Sequence, residues 1–120
     1  MKTQPITNAF RHAFDGLAAF FRHDRNGKIH LAAAVVVILA GFYFKVSPVE
    51  WGILLLCTGM VIGLEMLNYA LENLCNLVHN DFHPLVKSIK DVAAGAVLWS
   101  AVVSAVIGII IFLPKIMAVL

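Results

Sequence analysis

The chain has 120 residues, of which 61% are hydrophobic and 13% charged, and its formal net charge is +2. So few charged side chains cannot clothe a soluble domain of this size, so the composition excludes a soluble globular protein and points to one small domain, residues 1–120, solvated by lipid. No Lys/Arg run interleaved with aromatics is present, which excludes a nucleic-acid partner, and Cys57 and Cys75 are too few and lie too deep in apolar segments to form a disulfide framework.

The opening residues, MKTQPITNAFRH, lack the apolar core and cleavage site of a secretory leader, so the chain is expected to be retained whole. Phe10, Phe14, Leu17 and Phe21 then recur at helical spacing, with Arg11, His12, Asp15 and Arg22 between them. This pattern predicts an amphipathic helix over residues 8–23, lying in the membrane interface. "DRNG", Asp24 to Gly27, supplies turn residues before the first span, residues 28–45, whose sixteen uncharged residues lie between Lys28 and Lys45. Both lysines can snorkel to lengthen the span. Phe42, Tyr43, Phe44 and Trp51 read as an aromatic belt.

Ser47 and Pro48 are placed to start a second span, residues 48–79. His79 and His83 flank a polar loop and read as hydrogen-bonding residues at the interface. The third span covers residues 85–114 and is the least ambiguous, since Val92 to Pro114 is a run of twenty-three uncharged residues. Small residues in the second span (Gly59, Gly63) and third span (Ala93 to Ala96) suggest close helix packing. The expected architecture is therefore an all-α membrane protein of three transmembrane helices plus an N-terminal surface helix. Lys2, Arg11, Arg22, Arg25 and Lys28, with Lys87 and Lys90 of the loop, stand against Lys45 and Lys115, which predicts a cytoplasmic N-terminus.

The second span carries the chemistry. Trp51 to Leu64 holds no charge, yet Glu65 and Glu72 follow, seven positions apart, with Asn68 and Asn76. At about 100° per residue these four fall in one stripe, away from Gly59 and Gly63. A carboxylate in hydrocarbon costs several kcal/mol unless paired, metal-bound or protonated, so two of them suggest function. Carboxylates plus amides, with no His/Cys pairs at zinc spacing, favour magnesium, which characteristically bridges to phosphate and so points to a nucleotide. No phosphate-binding glycine loop or protein-kinase set is present. Asp24, Lys90 and Asp91, all near the same leaflet, are candidates for the rest of the site. Two other readings stay open on the residues alone. One is a structural role, with Glu65 protonated between helices; the other is a small ion- or proton-conducting oligomer subunit.

Four stretches in order resemble the prokaryotic diacylglycerol kinase and undecaprenol kinase family of small membrane lipid kinases. They are FRHAFDGL (Phe10 to Leu17), DRNGKIH (Asp24 to His30), Glu65-x-x-Asn68-x-Ala70-x-Glu72, and HPLVKSIKDVAAGAVL (His83 to Leu98). The resemblance implies phosphorylation of a membrane lipid alcohol from ATP and Mg²⁺ by a homotrimer in the bacterial cytoplasmic membrane. It implies Asp24 and Glu72 as metal ligands, Glu65 as the base toward the lipid hydroxyl and Asn68 as an orienting residue, with Asn76, Lys90 and Asp91 at the nucleotide. Three positions depart from the family pattern: Asp24 stands for Glu, Asn76 for Asp, and Tyr69 for a small Thr or Ser. These leave an altered or inactive scaffold member as the alternative. The segments NGKIH and AAGAVL look closer to the undecaprenol kinase side than to the diacylglycerol side.

Overall fold

A computed structural model describes residues 5–120; Lys2, counted above among the basic residues, lies outside them. The described chain is all α, in the order α1 (Ile6–His23), α2 (Arg25–Tyr43), α3 (Pro48–Val78) and α4 (Pro84–Val119). The last three are long and apolar enough to cross a membrane. At about 1.5 Å per residue α3 is roughly 46 Å long, well beyond the roughly 30 Å of hydrocarbon, so one end of it stands in the interface or in water.

The helix ends follow local chemistry. The turn expected over Asp24 to Gly27 shrinks to Asp24 alone, because its Oδ2 accepts from the Gly27 backbone N–H at 3.0 Å and caps α2. The first span therefore begins at Arg25 rather than Lys28. It ends before Lys45, which takes a left-handed φ of 53° in the connection to α3. Ser47 and Glu50 form a reciprocal capping box with Pro48 in the first turn, which explains the sharp start of α3. His79 ends α3 in an extended conformation. The His83 ring nitrogen Nδ1 accepts from the Leu85 N–H at 3.1 Å and starts α4. α4 runs on through Pro114 to Val119, farther than the run of uncharged residues indicated.

α3 is the central helix: α2 and α4 both pack against it, with no comparable contact between α2 and α4. Val46, Leu54 and Ile111 form a core cluster, with Val37, Trp51, Ile107 and Phe112 around it. At this end the Trp51 ring fills the notch at Gly41, where a Cβ would come within 2.5 Å of it. Phe42 packs against the same ring at a tilt, so part of the aromatic belt is helix packing. Lys115 and Glu50 join α4 to the start of α3 at 2.9 Å, largely shielded from solvent. α1 docks mainly through Phe20, which packs into Gly27 and meets Tyr69 of α3 edge to face.

Packing at the small residues differs from expectation. A Cβ added at Gly59, Gly63 or Gly95 meets nothing within 4 Å, so no other helix of this chain packs tightly onto these glycines. Phe10 and Phe14 on α1, and Val36, Leu56 and Trp99 on the spans, are likewise exposed, as lipid-facing or subunit-facing surfaces are.

Candidate functional site

Glu65 lies on the face of α3 turned toward the seam between α2 and α4, and only 2% of its surface is accessible. Its strongest charged neighbour is Asp24, at the α1–α2 hinge, followed by Glu72; Asn68 is its amide neighbour. Asn68 is buried as well, and its Nδ2 donates to Glu72 Oε1 at 3.3 Å. The amide oxygen of Asn68 is buried without any hydrogen-bond partner. Asn26, Ile29 and His30 of α2 and Ala94, Val97, Leu98 and Ala101 of α4 close the walls of a crevice of about 350 Å³ around Glu65, Asn68 and Glu72.

The depth of the two glutamates differs. Counted from Trp51, roughly 20 residues of helix cross roughly 30 Å of hydrocarbon, which puts the boundary near Leu71, between Glu65 and Glu72. Within the chain Glu72 is exposed and Glu65 buried.

Glu65 and Glu72 share one crevice, with Asp24 a neighbour of Glu65, and such carboxyls repel one another unless a cation or a proton intervenes. Among the described residues no three His, Cys, Asp or Glu side chains form a ready-made metal cage. Magnesium does not need one, since it is usually held by one or two carboxylates together with water and substrate phosphate. An unpartnered amide oxygen beside two carboxylates is a donor set of the right hardness, so the residues present fit Mg²⁺.

The other expected residues lie elsewhere. Asn76, one helical turn beyond Glu72, accepts from Lys90 Nζ at 2.5 Å. Asp91 pairs instead with Lys87 at 2.6 Å, on the surface. Lys90 and Asp91 border a separate polar pocket of about 330 Å³ with His79, Asn80, Asp81 and His83. Within one chain, then, Asp24, Glu65, Asn68 and Glu72 come together, while Lys90 and Asp91 border a second pocket that Asn76 ties to α3. His79 and His83 meet ring to ring at 5.2 Å in that pocket.

Sequence reasoning gave neither Asn26 nor His30 a place in the site. Both line the crevice, and the signal for them was helical spacing from Asp24, which brings the first turns of α2 over Glu65. Tyr69, a departure from the family pattern, has a packing partner in Phe20, with ring centroids 5.7 Å apart.

The profile described as "Prokaryotic diacylglycerol kinase" matches residues 11–112. The chain is 45% identical over 107 residues to the undecaprenol kinase of Bacillus subtilis, covering 89% of this chain and 87% of that protein. It is 35% identical over 113 residues to a diacylglycerol kinase of Synechocystis, covering 93% of this chain and 65% of that protein. A diacylglycerol kinase of Helicobacter pylori is 30% identical over 105 residues, with 81% of each chain covered.

Proposed function

The chain belongs to the prokaryotic diacylglycerol kinase family and is a membrane lipid kinase; within that family we propose that it moves the γ-phosphate of ATP to the primary alcohol of undecaprenol, at the cytoplasmic face of a bacterial inner membrane. The observation that carries the site is the buried Glu65 in a crevice with Asn68 and Glu72, beside Asp24. The choice of acceptor leans on the 45% identity to an undecaprenol kinase over most of both chains.

In this reading Glu65 takes the proton of the lipid hydroxyl. The alcohol oxygen forms a bond to the γ-phosphorus, the bond from that phosphorus to the β–γ bridging oxygen breaks, and ADP leaves. Glu72 and Asp24 would hold Mg²⁺, which supplies charge neutralisation of the phosphates when bound. Asn68 keeps Glu72 in place through its amide N–H and offers its free oxygen to the same charge. Lys90, held by Asn76, and Asp91 would contact the nucleotide from the neighbouring pocket. The site is completed in a homotrimer, whose contacts would cover the bare faces at Gly59, Gly63 and Gly95. An ion relay fits less well, because the seam beyond Glu65 toward Leu54 is lined mostly by apolar side chains.

The test is transfer of labelled γ-phosphate by the purified protein in mixed micelles, with undecaprenol and diacylglycerol offered in parallel. Label is expected in undecaprenol. Label confined to diacylglycerol would reverse the acceptor, and label in neither would remove both.

A further inference from the structure

The three lysines of α4 are each held by another side chain, and the holding groups differ. Lys87 pairs with Asp91 at 2.6 Å and Lys115 with Glu50 at 2.9 Å, both carboxylates. Lys90 Nζ instead donates to the amide oxygen of Asn76 at 2.5 Å, fourteen positions away on α3. Among the described residues the two carboxylate pairs are the only ion pairs. Neither Asp81 nor Asp91 therefore neutralises Lys90, although all three border one pocket.

A carboxylate and an amide do different things to a lysine. Each accepts one of the three ammonium N–H bonds and fixes the end of a long, flexible chain, but only the carboxylate cancels the charge. Asn76 thus leaves an ammonium that is held in place, keeps its full charge and has two N–H bonds to spare. Such a group suits an anion with several oxygens. Its position narrows the choice of anion. Asn76 continues the stripe of Glu65, Asn68 and Glu72, one turn and roughly 6 Å farther along α3 than Glu72. A polyphosphate chain whose end is held through Glu72 reaches that far, which brings the phosphates behind the transferred one to Lys90.

We propose that Asn76 is a positioning residue for the phosphate donor: it fixes Lys90 as an uncompensated cation one turn beyond Glu72, a foothold for nucleotide phosphates that does not depend on a metal ion. This deepens the kinase reading above and rests on it. It also gives the departure at position 76 a sign. An Asp there would pair with Lys90 and cancel its charge, so the amide strengthens the hold on the phosphates.

The experiment is direct nucleotide binding to the full-length protein in detergent micelles, by calorimetry with ATP and with ADP in excess EDTA, at about pH 8, where the pocket's imidazoles are neutral. Wild type is expected to bind both, more weakly as salt is raised. Asn76→Asp should weaken binding about tenfold and flatten the salt dependence, because one charge is removed from the site. Lys90→Met should do the same. Asn76→Ala should weaken binding only about threefold and keep the salt dependence, because the charge stays and only its order is lost. A merely structural role for Asn76 would move both of its variants alike, and equal salt slopes in the two would overturn the proposal. So would wild-type affinity in Asn76→Asp, or wild-type binding that is absent without Mg²⁺. Helix content by circular dichroism controls for folding. Phosphate transfer to lipid is measured separately. Transfer by wild type, with nucleotide binding indifferent to Asn76→Asp, would leave the kinase reading standing alone; the expected binding pattern without transfer would remove the kinase reading and keep the phosphate foothold.

Discussion

Glu65 and Glu72 are the same residue type on the same face of one helix, yet one is buried beside Asp24 and the other exposed at the helix end. Their roles should separate kinetically. Glu65→Gln is expected to lower kcat by roughly 10²- to 10⁴-fold with little change in the KM for Mg-ATP, the size of effect removing a general base has. Glu72→Gln should chiefly raise the KM for Mg-ATP; equal loss of both parameters in both variants would refute this division. A second residue-scale prediction concerns Lys45. Its left-handed φ of 53° costs a side-chain-bearing residue about 1 kcal/mol that glycine does not incur, so Lys45→Gly should raise the melting temperature without affecting turnover. The carboxylates and amides of α3 were legible in the sequence because helical spacing alone puts them on one stripe. The partner of Asn76 was not, because Lys90 lies fourteen positions away on another helix.

The junction of α1 with α2 is where one element depends most on another. Asp24 is both the cap of α2 and a neighbour of Glu65, so a shift of α1 is felt at the crevice. Phe20 holds that angle by occupying the space a side chain at position 27 would need. A Cβ on Gly27 would come within 2.5 Å of the ring tip. Gly27→Ala should therefore destabilise the protein by about 1–3 kcal/mol, the usual cost of overpacking, and lower activity with it. Adding Phe20→Leu should recover part of that loss, measured as thermal stability in detergent; an additive rather than compensating pair would show that the two sites do not share the space. Asp24→Asn, which keeps the capping oxygen and removes the charge, should hold stability while weakening Mg-ATP binding. The sequence marked a turn here from "DRNG", but a single well-placed cap replaced the turn because the Asp24 side chain meets the orphan N–H of Gly27.

Across the whole molecule, apolar surface is left bare. Trp99 in the middle of α4 is 75% exposed, and a Cβ at Gly59 or Gly63 would meet nothing of its own chain within 4 Å. A lipid-embedded protein can leave such faces to acyl chains, but small residues on a helix are better used against another helix. The trimer reading predicts a protein mass of three chains by light scattering in mild detergent, and Gly63→Leu should lower that mass while leaving helix content intact by circular dichroism. A single-chain mass with full kinase activity would refute the trimer.

The sequence by itself determined the solvent, the three spans, the amphipathic first helix and the polar stripe of α3, because composition and periodicity are properties of neighbouring residues along one helix. It also carried, through four short stretches, the family. Only the tertiary structure decided that Asp24, Asn26 and His30 converge on Glu65, that Lys90 and Asp91 border a different pocket, and that a separate apolar cavity lies on the far side of His30. Those facts depend on how α2 and α4 are rotated and spaced on α3. Ring-in-notch contacts such as Trp51 at Gly41 and Phe20 at Gly27 fix that geometry, and no spacing within a single helix encodes it.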